Sequence, residues 1–96
     1  MTHPPSEIDN ARVLFYAEVQ PGTWEGRTRH EVEGQLAPGP AGLAVCQYKG
    51  NPEVYLFRCT SDWGTITDTA HESVNAAINQ AEYECGQELE FYDAAA

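Results

Sequence analysis

Asp68 and His71, three residues apart, are the closest approach in this chain to an acid–base pair. A carboxylate beside an imidazole can fix its tautomer and help it take a proton. Catalysis would also need a nucleophile or a substrate pocket nearby, and His30 with Cys46, Cys59 and Cys85 supply the obvious candidates. The same two residues equally fit the entry to a helix. There Asp68 accepts from free backbone N–H groups and His71 bonds back across the turn. Capping is the expectation, and no catalytic residue is assigned. A zinc site would have to draw on Cys46, Cys59, Cys85, His30 and His71, which contain no close pair of the C-x-x-C or H-x-x-x-H kind. Asp62 to Asp68 lacks the dense oxygen spacing of a calcium loop. No phosphate-cradling glycine loop and no G-x-S-x-G turn occurs. No metal and no cofactor is expected.

The 96 residues amount to one domain, with a Pro-rich, polar tail at 1–10 and a folded body at 11–96. Charge dominates the composition. Fifteen acids against five bases leave a formal charge of −10. After Cys59 there are acids but no Lys or Arg, with Glu82, Glu84, Glu88, Glu90 and Asp93 crowding the end. Such a surface repels phosphate backbones and anionic membranes, so neither nucleic acid nor a membrane is expected as partner. No apolar run reaches membrane-spanning length, and the first residues are neither basic nor apolar as a signal peptide would be. An odd number of cysteines without paired spacing reads as reduced thiols in a cytoplasm.

The elements that must carry these side chains follow from alternation and turn residues. Arg12 to Val19 is a first strand, with Val13, Phe15, Ala17 and Val19 on one face and Leu14 and Tyr16 on the other. Gln20-Pro21-Gly22 ends it. Arg27 to Leu36 alternates charged and less polar residues and predicts a half-exposed second strand. Leu43 to Tyr48 and Glu53 to Cys59 flank Gly50-Asn51, a hairpin signal that sets Cys46 opposite Tyr55 and Ala44 opposite Phe57. Thr65 to Thr67 is a short β-branched stretch. A helix follows, capped by Thr69 with Glu72 or by Ser73, carrying Val74, Ala77, Ile78, Ala81 and Cys85 as one stripe and ending at Gly86. Trp24 and Trp63 fall in loops, where each is expected to fold back as a lid. The architecture predicted is α+β: a four-stranded antiparallel meander with one C-terminal helix on one face.

Trp63, Asp68-Thr69-x-His71-x-Ser73, Ala77 and Gln80-Ala81-Glu82-Tyr83-Glu84 together resemble a pattern in short uncharacterised bacterial proteins. There an aromatic strand leads through such a turn into a Glu-rich helix. The resemblance covers about a third of the chain and implies a bacterial setting and a strand–turn–helix unit, with no activity attached.

Both faces of the hairpin are apolar, whereas one helix covers one face. Leu14, Tyr16, Leu43, Val45, Val54 and Leu56 are therefore the candidates for an uncovered patch, closed by residues 87–96, by a curl of the sheet, or by a second subunit. A symmetric homodimer is the expectation. The function expected is a non-enzymatic protein–protein interaction module whose acids at Glu82, Glu84, Glu88, Glu90 and Asp93 meet a basic partner, as an immunity protein or antitoxin would. The alternatives are a small enzyme or ligand binder with a sheet–helix pocket using His30, His71 or Asp68, and a nucleic-acid mimic.

Overall fold

In the computed structural model, which describes residues 1–95, the chain runs through eight strands and one helix; the expected domain end at Ala96 lies outside the described residues. The strands are β1 (Glu7–Ile8), β2 (Ala11–Glu18), β3 (Glu31–Val32), β4 (Gln35–Leu36), β5 (Gly42–Gln47), β6 (Val54–Cys59) and β7 (Thr65–His71). The helix α1 (Val74–Cys85) and the short strand β8 (Tyr92–Asp93) complete the order. The class is α+β, and every strand pairing is antiparallel. The main sheet has six strands rather than the predicted four. β2, β5, β6 and β7 form its meander, while β1 and β8 share the outer edge of β2.

The β5–β6 hairpin has the register its sequence predicts. Cys46 lies opposite Tyr55 and Ala44 opposite Phe57, with a turn closed by Asn51 N–H donating to the Tyr48 carbonyl. Gly50 supplies the positive φ that this turn demands (+81°). The two faces of that hairpin then enter two separate cores. Leu43, Val45, Val54 and Leu56 pack with Val19 against Ala77 and Ala81, whose small side chains let α1 lie close to the sheet. Ala44, Cys46, Phe57 and Cys59 pack with Ile8, Ala11, Val13 and Trp63 on the opposite side.

That second core corrects the expectation of an uncovered face. Leu43, Val45, Val54 and Leu56 are all buried within one chain, while Leu14 and Tyr16 are half-buried on different sides. The sheet curls as a half-barrel, and the segment read as a tail helps close it. Residues 1–10 pack against the sheet instead of trailing from it. Ile8 and Pro4 are buried, His3 bonds the Tyr16 hydroxyl at 2.8 Å, and the Thr2 carbonyl accepts from Trp63 Nε1 at 2.9 Å. Trp63 is a lid, as expected. Both faces of the sheet are thus covered within one chain, so an obligatory homodimer is not needed to cover them.

Three further corrections have local causes. A bulge between Val13 and Phe15 shifts the phase of β2, so Leu14 and Phe15 both reach the helix-side core while Tyr16 joins Val13 on the other. The predicted strand Arg27–Leu36 is broken: Glu33 and Gly34 both take positive φ and fold β3 onto β4 as a small exposed hairpin. Finally, Thr65–His71 is one continuous strand paired to β6, so Thr69 sits in β7 and Ser73 is the N-cap, accepting from Ala76 N–H.

Candidate functional site

The helix-side face is apolar along most of its length and polar at one end. The β6–β7 register places Arg58 beside Thr67, and the same face of β7 continues with Thr69 and His71. Over them, α1 presents Gln80 and Glu84, one helical turn apart. Glu84 is fully buried and Arg58 nearly so, at 2% exposed. They meet as a two-pronged pair, Arg58 Nε to Oε1 at 2.8 Å and Nη2 to Oε2 at 2.6 Å. Gln80 donates to the same carboxylate at 2.7 Å and His30 Nε2 at 3.0 Å. Burial pushes the Glu84 carboxyl upward, but the hydrogen bonds from Arg58 and Gln80 and the guanidinium charge outweigh it and hold the pKa down to about 2.

An ionised carboxylate only accepts, so His30 Nε2 carries the hydrogen in that contact. On the far edge of the guanidinium, Nη2 donates to Thr69 Oγ1 at 3.2 Å, and Thr69 Oγ1 lies 2.8 Å from His71 Nε2. Burial, and then the Arg58 charge, lower the His71 pKa, and a neutral ring accepting from the Thr69 hydroxyl satisfies both contacts.

The loop joining β2 to β5 roofs this cluster because the end of α1 gives it anchors. Glu25 N–H donates to the Cys85 carbonyl, and Gly26 and Arg27 N–H donate to that of Glu84, at 2.8–3.2 Å. These are carbonyls that a helix terminus leaves without internal partners. Gly86 takes the left-handed conformation (φ +89°) that ends the helix there, and the Arg27 guanidinium lies over the Tyr83 ring. Pinned in this way, the loop borders a half-open pocket of about 250 Å³. Trp24, Pro38 and Pro40 contribute to its apolar lining, with Leu36 of β4, 65% exposed, beside them; Thr28, His30, Arg58 and Thr67 contribute its polar lining. Arg58 Nη1 and Thr67 Oγ1 are buried and without a hydrogen-bond partner.

The residues singled out from sequence are distributed unevenly around this site. His30 belongs to the pocket, and His71 belongs to the polar cluster behind it. Asp68 does neither: it lies exposed on β7, an odd number of residues from His71 and so on the opposite face of the strand, and the acid–base pair is not formed. Glu84 is corrected from surface acid to buried counter-ion. Glu82 accepts from Leu89 N–H at 2.9 Å and so holds the chain beyond the helix, while Glu88, Glu90 and Asp93 are exposed. Cys46 and Cys59 lie in the opposite core, their thiols pushed up to about 12 by burial, and Cys85 donates to the Thr23 carbonyl. Among the described residues no three His, Cys, Asp or Glu side chains group as metal ligands, and no helix is long and apolar enough to cross a membrane. Arg58 and Thr67 were missed from the sequence. The signal for Arg58 was a lone base among apolar residues on its strand face.

No protein-family model, curated protein or solved structure matches this chain.

Proposed function

We propose that this protein binds a small ligand in the pocket beneath the β2–β5 loop and does so without catalysing a reaction. The observation that carries the reading is the pair of unpartnered buried atoms, Arg58 Nη1 and Thr67 Oγ1, in residues that line one pocket. Leaving such groups unpaired costs about 1–3 kcal/mol each, a cost a ligand with acceptors would remove. A concave lining that sets apolar walls beside a few polar groups also fits a small-molecule site. Binding without turnover is favoured because the groups able to do chemistry are occupied elsewhere. His30 spends its Nε2 hydrogen on Glu84, and Thr69 with His71 lies outside the pocket lining. The three unpaired, buried cysteines support a reducing, cytoplasmic setting.

The test is retention of compounds from a small-molecule mixture by the intact protein, separated by ultrafiltration and identified by mass spectrometry. Wild type is expected to retain a compound that Trp24→Ala releases. Equal retention by both, or none by wild type, would remove the reading.

A second reading keeps the acidic surface for a basic protein partner, such as the target of an immunity protein or antitoxin. It is favoured by Tyr92, exposed and 5.6 Å from the Tyr16 ring, which stands beside Glu18 and Glu90 and could hold a cationic side chain. Glu90→Lys with Asp93→Lys is expected to slow association with an oligolysine peptide and flatten its salt dependence. Unchanged rates would end this reading.

A further inference from the structure

We infer that the pocket selects a neutral hydrogen-bond acceptor, an amide or ring carbonyl borne on a flat apolar body, and discriminates against carboxylates. This rests on the small-ligand reading above and concerns the chemistry that the pocket accepts.

Arg58 is the one guanidinium in the pocket lining, and Glu84 already matches it prong for prong. Glu84 in turn takes further hydrogen bonds from Gln80 and His30. The cluster therefore keeps spare N–H donors on Nη1, with the Arg58 charge already matched. A ligand carboxylate on Nη1 would place a second anion on a guanidinium whose other edge is held by the first. The surroundings add to that penalty: Glu25 also lines the pocket, and the whole chain carries −10. A protonated amine gains from that acidic field, but it has no acceptor to offer Nη1 and would set a second cation beside the guanidinium. A carbonyl oxygen that displaces the lining over these two buried atoms accepts from them without importing charge.

The walls set the rest of the ligand. Trp24, half-buried, and the rings of Pro38 and Pro40 give flat apolar surfaces. Such surfaces suit a planar body better than a branched polar one. About 250 Å³ limits that body to one or two rings.

Benzamide, benzoate and protonated benzylamine share a ring and differ in the group that would meet Arg58. Each is titrated into the 15N-labelled full chain while the Trp24 indole and the amides of Thr67 and of Gly39, a further lining residue, are followed. Benzamide is expected to move all three resonances and to bind at least about tenfold more tightly than either charged probe. Replacing Arg58 risks the fold, so Thr67→Val serves as the second arm. It keeps the β-branched shape, removes the hydroxyl, and is expected to weaken benzamide about fivefold with the charged probes unchanged. Benzoate binding as tightly as benzamide would overturn the neutral-acceptor inference and leave the ligand pocket standing. Benzamide producing no shifts would overturn it too, and retention from the compound mixture then decides the pocket reading separately.

Discussion

Arg58 on β6 and Glu84 on α1, 26 residues apart in sequence, form a two-pronged ion pair with neither side chain more than 3% exposed. The pair is what joins helix to sheet at the polar end of an otherwise apolar contact. Removing one partner leaves an uncompensated charge in a buried site. Glu84→Leu is therefore expected to cost about 3–5 kcal/mol in urea unfolding, and Arg58→Met with Glu84→Leu to cost less than Glu84→Leu alone. A double variant at least as unstable as the single one would show that charge compensation is not what matters there.

The same carboxyl shapes the response to acid. Its pKa falls from the ordinary 4.5 to about 2 in the folded chain, so its contribution is complete above about 4.5 and is lost as pH falls toward 2. Stability measured from pH 6 down to pH 2 is expected to fall, and Glu84→Gln should show a shallower decline over that window (about pH 5 to 2). Parallel curves would contradict a depressed Glu84.

Cys46 and Cys59 are fully buried, and burial pushes their thiols up to about 12. Since the thiolate is the reactive form, both should resist alkylation in the native state at mildly alkaline pH and react at once in denaturant. Peptide mapping after iodoacetamide treatment reads this directly; rapid native labelling of either would refute it.

Gly42 gives Trp63 its place. A Cβ on Gly42 would lie 2.7–2.9 Å from the Trp63 ring and 2.6 Å from the Met1 terminal methyl. Gly42→Ala should force the indole outward, cost about 1–3 kcal/mol, and shift tryptophan emission to the red. Unchanged stability and emission would mean that the lid has room to spare.

Much of the fold could be read locally. The Gly50-Asn51 turn sets the β5–β6 register, and alternation along both strands assigns each residue to its face, because those signals act over a few residues. The helical stripe from Val74 to Cys85 is legible for the same reason. What covers each face was not legible. One extra residue at the β2 bulge changes which side chains share a core, and the closure by Ile8, Thr2 and Trp63 joins segments about sixty residues apart.

The pocket belongs to that second kind of information. Arg58 stood out on its own strand as a base among apolar residues, and Glu84 fell three residues beyond Ala81 on the buried stripe, yet each in isolation reads as surface charge. Composition and periodicity by themselves determined an acidic α+β chain with an antiparallel hairpin and a helix. Only the packing of α1 across β6, and the anchoring of the β2–β5 loop to the helix end, decided that two of those charges would neutralise each other inside. A contact between distant segments changes the local dielectric and the available partners, and no window of sequence contains either.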